Sequence, residues 1–130
     1  MVFLVIDDSS TQRKIIIQSL KQIGFTDVIE AENGLVGYTK IKEEPIDFVL
    51  TDRNMPILDG LEFSILVKAQ EKYKHIPIIM VSTHGNTEDV LTAVKLKVNS
   101  YIVKPFNPEI LEHKIREVQA GIAKEKLGLH

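Results

Sequence analysis

Residues 48–56 have the sequence Phe48-Val49-Leu50-Thr51-Asp52-Arg53-Asn54-Met55-Pro56. An apolar run of strand length ends in the carboxylate of Asp52, and Asn54 and Pro56 mark a turn directly after it. In an open α/β sheet, ligands bind in the crevice outside the carboxyl ends of the strands. Asp52 therefore lies where a side chain can act chemically, provided that the neighbouring apolar runs are parallel strands.

The rest of the chain meets that condition, because a helical pattern follows each of five apolar runs. The predicted strands are residues 2–6, 27–31, 47–51, 77–81 and 100–103. Helix starts are marked by the N-cap candidates Ser9, Asn33, Asp59, Asn86 and Asn107. Strict alternation of strand and helix predicts an α/β fold, with a doubly wound, five-stranded parallel sheet covered by helices on both faces.

Apolar residues at helical spacing predict which side of each helix is buried. They are Ile15, Ile16, Leu20 and Ile23 in the first helix, Leu61, Ile65 and Leu66 in the third, Val90, Leu91, Val94 and Leu96 in the fourth, and Leu111, Ile115, Val118 and Ile122 in the last.

Composition indicates an ordinary globular protein. The 130 residues predict a single domain, residues 1–130, with 44% apolar and 26% charged residues and a net charge of −2. No dense basic block suggests nucleic-acid binding, and no apolar run could span a membrane. The chain has no Cys, and an apolar strand rather than a signal peptide follows Met1. We expect a cytoplasmic protein.

Polar and charged residues follow four of the predicted strands. Asp7 and Asp8 follow the first, Asp52 the third, Ser82 the fourth and Lys104 the fifth. Three carboxylates at one sheet edge repel one another unless a hard cation such as Mg²⁺ joins them. A carboxylate can act as a nucleophile toward phosphorus, and a Lys can neutralise the transferring group. The set predicts phosphoryl transfer to an aspartate.

The same residues resemble the motifs of response-regulator receiver domains of the single-domain chemotaxis (CheY) type. The matching motifs are Asp7-Asp8, Asp52, Asn54-Met55-Pro56, Asp59-Gly60, Ser82 and Lys104-Pro105-Phe106. They occur in the family's order and cover essentially the whole chain. The resemblance implies a flavodoxin-like (βα)5 fold with strand order 2-1-3-4-5. It also implies a cis Lys104-Pro105 bond.

The resemblance further implies roles for these residues. Asp52 would be the phosphoacceptor, with Lys104 pairing with the phosphoryl group and Ser82 moving to bond it. Mg²⁺ would be held by the carboxylates of Asp8 and Asp52, by the backbone carbonyl of Asn54, and by Asp7 through water. The protein would catalyse only its own phosphorylation and dephosphorylation, and it would not be an enzyme acting on other substrates.

The family couples the Ser82 movement to an aromatic residue, here Tyr101. The implied output face lies on the fourth helix, fifth strand and fifth helix and comprises Val90, Val94, Tyr101, Val103 and Lys114. Taken alone, Tyr101 fits a half-buried packing residue equally well, the two Val residues could face the core, and Lys114 could be a solvated charge. The implied partners are a histidine kinase as phosphodonor, a target such as a flagellar switch component, and a phosphatase, all acting on a monomer.

Several residues depart from the family pattern or lie at its variable positions. Lys97 and Ser100 stand where the family often has Gly, so we expect the exit of the fourth helix to differ locally. Arg53 and His84 are expected to flank the site, at variable positions that affect the phosphoryl lifetime in the family. The residues His75, His84, His113 and His130 lack the spacing of metal ligands and are expected on the surface.

Other functions remain open at this point. A stand-alone phosphorelay receiver and the receiver of a DNA-binding regulator share the same site. A haloacid-dehalogenase-like phosphatase also uses an Asp nucleophile and Mg²⁺, but the D-x-D pattern is absent around Asp7 and Asp52. A flavodoxin-like cofactor binder would need a Ser/Thr/Gly-rich phosphate loop after the first strand, where this chain has Asp7-Asp8-Ser9-Ser10.

Overall fold

Each predicted strand is present in the computed structural model, which describes residues 1–128, and a helix follows each strand. The elements are β1 Phe3–Ile6, α1 Ser10–Ile23, β2 Val28–Ala31, α2 Gly34–Glu43, β3 Phe48–Thr51, α3 Gly60–Lys68, β4 Ile78–Ser82, α4 Thr87–Lys95, β5 Ser100–Val103 and α5 Pro108–Lys126. The strand bounds differ from the predicted ones by at most one residue, with one consequence at β4, which extends to Ser82.

The sheet has the order β2-β1-β3-β4-β5, and all of its neighbouring strands are parallel. This confirms the predicted doubly wound α/β fold and its strand order. Ile6, the last residue of β1, lies beside Thr51, the last residue of β3. The residues that follow these two strands are therefore neighbours at the carboxyl edge of the sheet.

Two apolar layers enclose the sheet. On one face, Phe63 and Val67 of α3 and Ala93 of α4 pack on Leu4, Ile6 and neighbouring strand residues. On the other face, Ile16 and Leu20 of α1 and Leu111, Ile115 and Val118 of α5 pack on Phe3, Phe48 and Leu50. The strands are buried on both faces, as their continuous apolar sequences predict.

All five predicted N-caps are present, and each cap side chain accepts a hydrogen bond from a backbone N–H three residues later. Asp59 and Glu62 form a reciprocal capping box at the start of α3. These caps start each helix directly beyond the carboxyl edge and so fix the loops that carry the polar residues.

The predicted buried stripe of α3 is wrong. Phe63 and Val67 are fully buried, whereas Ile65 is 48% and Leu66 37% exposed, and Leu61 is only partly buried. Because apolar residues occur all around this short helix, spacing alone did not identify its inner side.

The predictions for the other helices are partly wrong. Ile15 of α1 is exposed, and Ile23 and Ile122 are only partly buried. In α4 the buried residue is Ala93, while Leu91 and Val94 are exposed and Leu96 is the C-cap. Small Ala93 is the residue that fits where α4 approaches the sheet.

The backbone geometry answers two expectations, one about the exit of α4 and one about the Lys104-Pro105 bond. Lys97 has a φ of 65°, the left-handed conformation that favours Gly, whereas Ser100 is an ordinary β5 residue paired with Ile79. The Lys104-Pro105 bond is cis, as expected. His75, His84 and His113 are exposed, and His130 lies outside the described residues.

Candidate functional site

Three carboxylates meet at the carboxyl edge of the sheet. Asp7 and Asp8 follow β1, Asp52 follows β3, and one oxygen from each lies within 4.8 Å of the others. Asp7 is buried, Asp52 is half-buried and Asp8 is exposed. The negative charges of these oxygens repel one another, and a bound hard divalent cation would remove that repulsion.

Lys104 supplies a positive charge to the same site from the end of β5. Its Nζ lies 2.8 Å from Oδ2 of Asp7 and 3.9 Å from Oδ1 of Asp52. The Lys104 side chain is only 10% exposed, so solvent screens its interaction with these two carboxylates weakly. The ammonium group of Lys104 therefore places a positive charge beside Asp52.

The pKa of Asp52 is raised above its ordinary value of 3.8, mainly because burial disfavours the charged form. Asp7 and, more weakly, Asp8 raise it further, while Lys104 and the backbone N–H of Arg53 lower it. That N–H donates to Oδ1 of Asp52 at 2.9 Å. The Arg53 N–H therefore orients the Asp52 carboxylate. The surroundings of this carboxylate disfavour its negative charge.

Arg13 of α1 orients the Asp7 segment. Its Nη1 donates to the backbone carbonyl of Asp7 at 2.7 Å, and its Nε forms an ion pair with Glu30 of β2 at 2.9 Å. The backbone N–H of Ser9 donates to Oδ1 of Asp7 at 3.0 Å. With Lys104 on Oδ2, both oxygens of the Asp7 carboxylate are bonded.

The carboxylates open into a pocket of about 550 Å³. Its lining is Asp7, Asp8, Ser9, Gln12, Ile15, Asp52, Asn54, Thr83, His84, Lys104, Pro105 and Phe106. Among the lining residues, Nδ2 of Asn54 lies 3.0 Å from Nδ1 of His84. The pocket is therefore lined by carboxylates and bordered by the β4–α4 loop on one side.

Ser82 is placed differently from the other predicted site residues. It belongs to β4, it is fully buried, and its Oγ accepts a hydrogen bond from the N–H of His84 at 3.1 Å. It is absent from the pocket lining, which is formed at this point by Thr83 and His84. Its contact with phosphate stays a prediction.

Tyr101 of β5 is bonded to the β4–α4 loop, which contains His84. Its hydroxyl donates to the backbone carbonyl of His84, and its ring packs against the core on the α4 side of the sheet. His84 therefore joins three parts of the region through its ring, its N–H and its carbonyl.

Gly60 allows the β3–α3 loop, residues 52–59, to close. A Cβ at this position would overlap the carbonyl oxygen of Asp52 and lie 2.9 Å from the sulfur of Met80. The N–H of Gly60 donates to the carbonyl of Arg53 at 2.9 Å. Only a residue without a side chain lets α3 start this close to Asp52.

The donor set fits Mg²⁺. The available atoms are carboxylate oxygens of Asp7, Asp8 and Asp52, with Asn54 on the adjacent loop lining the same pocket. Mg²⁺ prefers oxygen ligands and retains several waters, which suits a small set of carboxylates at an open edge.

A family model for the response regulator receiver domain matches residues 3–116. This chain belongs to the response-regulator receiver family. Receiver domains are signalling modules rather than an enzyme family, and they generally bind Mg²⁺ at an acidic pocket. Domains of the CheY type generally interact with histidine kinases and flagellar switch proteins.

Curated chemotaxis proteins are similar over nearly the full length of this receiver domain. A chemotaxis protein CheY homolog of Campylobacter jejuni is 47% identical over 119 residues, which cover 91% of this chain and 92% of that protein. Chemotaxis protein CheY1 of Helicobacter pylori is 46% identical, over 91% of this chain and 96% of that protein.

Solved structures agree in fold. Chemotaxis protein CheY4 of Vibrio cholerae has a TM-score of 0.83 at 32% identity, covering 91% of this chain and 98% of that chain. A response regulator from Chloroflexus aurantiacus has a TM-score of 0.85 at 24% identity, which supports the fold alone.

Among residues 1–128 no helix is long and apolar enough to cross a bilayer.

Some contacts of this site were not predicted from the sequence. They are the bond from Arg13 to the Asp7 carbonyl, the contact of Asn54 with His84, and the ion pair between Arg53 and Asp89. The first joins a helix side chain to a backbone carbonyl, and the partners of the other two are 30 and 36 positions apart, so no local pattern marks them. His84 is exposed and borders the site, and both observations agree with what was expected of it.

Proposed function

We propose that Asp52 accepts a phosphoryl group from a phosphohistidine of a histidine kinase, and that the modified protein then binds a target protein. The observation that supports this best is the placement of Asp52, whose carboxylate lies close to Lys104 and to two further carboxylates that line the same pocket. Nucleophile, counter-charge and metal ligands are all within one small volume.

The reaction is a phosphoryl transfer between two side chains. A carboxylate oxygen of Asp52 forms a bond to phosphorus while the P–N bond of the phosphohistidine breaks, and the imidazole nitrogen retains the electron pair. Lys104 Nζ, at 3.9 Å from Oδ1, is placed to neutralise charge on the phosphoryl oxygens. Ser82 is proposed to turn its hydroxyl from the loop toward the phosphoryl group.

Asp8, Asp52 and the Asn54 carbonyl would hold Mg²⁺, with Asp7 acting through water. Bound there, the ion supplies charge neutralisation to the phosphoryl oxygens. Asp7 is suited to an indirect role because its two carboxylate oxygens already accept bonds from Lys104 and Ser9. The exposed Asp8 carboxylate is freer to coordinate.

The output face is proposed to comprise Val90, Val94, Tyr101, Val103 and Lys114. Val94 is 60% and Val103 47% exposed, so both are available to a partner. Val90, Tyr101 and Lys114 are partly buried. A new dianion at Asp52 needs to bias the packing of this face by only a few kcal/mol to change its affinity for a target.

The proposed setting is chemotaxis, with a flagellar switch component as target, a phosphatase as a further partner, and a cytoplasmic monomer as the active form. The similarity of this chain to chemotaxis proteins supports this proposal. A phosphorelay receiver or the receiver of a DNA-binding regulator would share the chemistry but bind a different target. We expect the protein to catalyse its own phosphorylation and dephosphorylation only.

The test uses a small phosphodonor, Mg²⁺ and a peptide of the flagellar switch. The wild-type protein should take up phosphate and bind the peptide more tightly afterwards, whereas Asp52→Asn should do neither. Uptake without any change in peptide affinity contradicts the chemotaxis role and favours the other receiver settings. Equal uptake by Asp52→Asn contradicts the phosphoacceptor assignment.

A further inference from the structure

Arg53, the residue directly after Asp52, is bonded at three points. Its backbone N–H donates to Oδ1 of Asp52 at 2.9 Å, and its carbonyl accepts from the N–H of Gly60 at 2.9 Å. Its guanidinium forms an ion pair with Asp89 in the first turn of α4. One residue therefore connects the phosphoacceptor carboxylate to a helix of the output face.

The Arg53–Asp89 pair is better shielded than the other helix ion pairs. The two side chains are 18% and 19% exposed, compared with 61% and 41% for Arg116 and Glu112 of α5. The Asp89 N–H is also bonded to the N-cap side chain of Asn86 at 2.8 Å, so Asp89 is fixed to its own helix start. A shielded pair between two fixed elements constrains their relative position more than a solvated pair does.

Tyr101 belongs to the same network. Its hydroxyl donates to the His84 carbonyl, in the loop that leads into α4. The pKa of Arg53 is raised, mainly because its side chain bonds to Asp89. Arg53 thus joins the β3–α3 loop to the start of α4, and Tyr101 of β5 bonds the loop that leads into that start.

We infer that the Arg53–Asp89 ion pair holds the start of α4 against the β3–α3 loop and keeps Tyr101 turned inward under the β4–α4 loop. Arg53 is then a positioning residue that links Asp52 to the output face. The positioning of Tyr101 stands on the contacts alone, whereas the link to phosphorylation rests on the proposed function. The receiver motifs do not include this pair, and its partners are 36 positions apart.

The experiment follows the fluorine NMR resonance of Tyr101 in protein labelled with fluorotyrosine. The spectrum is simple because the chain has only three Tyr residues. Tyr101→Phe assigns the resonance, and broadening by a dissolved gadolinium chelate measures its exposure. We expect Arg53→Met and Asp89→Asn each to increase the broadening at least about threefold. The double variant should match the single variants, because each removes the same interaction. Arg116→Met and Glu112→Gln remove an exposed pair and should change nothing at Tyr101.

Unchanged broadening in Arg53→Met, or additive effects in the double variant, would overturn the inference. Beryllofluoride with Mg²⁺ then tests the link to Asp52. The change it produces at Tyr101 should fall to less than about half in Arg53→Met, and an undiminished change would contradict the link. If the wild type binds no beryllofluoride, the proposed function fails, while the positioning of Tyr101 is decided by the broadening alone.

Discussion

Lys104 and Asp7 form a buried ion pair, with Nζ 2.8 Å from Oδ2 and side-chain exposures of 10% and 1%. The pair joins β5 to β1 across two intervening strands and places the Lys charge beside Asp52. A buried ion that loses its partner is strongly destabilising, because its charge remains without compensation. The pair therefore has a structural effect that can be separated from any role in signalling.

Lys104→Ala should lower the free energy of unfolding by about 3 kcal/mol without metal, because Asp7 loses its counter-charge. Mg²⁺ should restore part of this loss by supplying another cation, and phosphorylation should no longer change target affinity. Urea unfolding with EDTA and with Mg²⁺ measures the first effect. Lys104→Met is the matched control, because it keeps the aliphatic stem. Equal stability of Lys104→Met and the wild type without metal would show that the charge is not needed.

Asp52→Asn should stabilise the metal-free protein at neutral pH. Burial raises the pKa of Asp52, so the folded state holds its proton to a higher pH than the unfolded chain does. The stability from Asp52 is therefore complete below its ordinary value of 3.8 and is lost as the pH rises through the folded value. The advantage of Asp52→Asn should shrink on acidification.

Urea unfolding in EDTA across this pH range tests the sign of the Asp52 effect. A metal-free Asp52→Asn protein that is less stable than the wild type at neutral pH would contradict the electrostatic description. Adding Mg²⁺ should reduce or reverse the advantage, since bound Mg²⁺ stabilises the folded wild type.

Gly60→Ala should damage the site and the fold together. Its Cβ would overlap the Asp52 carbonyl, so we expect a loss of about 1–3 kcal/mol in stability and weaker Mg²⁺ binding. Gly121→Ala, in α5, is the control, because a Cβ there meets nothing within 4 Å. It should raise stability by about 0.5–1 kcal/mol. Thermal unfolding with and without Mg²⁺ measures both, and an unaffected Gly60→Ala protein would show that the loop can shift freely.

Lys97→Gly should stabilise the protein by about 0.5–1 kcal/mol, because Lys97 has a φ of 65° and Gly adopts that conformation without strain. Lys95→Gly, two residues earlier at the last residue of α4, should instead lower stability. Opposite signs in denaturant unfolding would support the left-handed geometry at the helix exit. The same sign for both would contradict it.

The sequence predicted the parts of this structure that follow from local pattern. Apolar runs and caps located the strand ends, and parallel pairing of those ends brings Asp7, Asp8, Asp52 and Lys104 together. The strand order came from the resemblance, since right-handed crossovers alone leave several orders open. The structure shows that order directly.

Two kinds of feature were not predictable in this way. The inner side of α3 was assigned wrongly because Leu61, Phe63, Ile65 and Leu66 make the helix apolar around most of its circumference. The Arg53–Asp89 pair joins the β3–α3 loop to the first turn of α4, and their approach depends on how α4 packs. Tertiary packing of this kind leaves no periodic signal.

The central claim is that Asp52 is the residue that carries the phosphoryl group. Wild-type protein should be incubated with a small phosphodonor and Mg²⁺, reduced with borohydride to trap any acyl phosphate, digested and mapped by mass spectrometry. We predict reduction at Asp52 alone, dependent on both donor and Mg²⁺, and none in Asp52→Asn. Reduction at Asp7 or Asp8 in the wild type, or donor-dependent labelling that persists in Asp52→Asn, would contradict it.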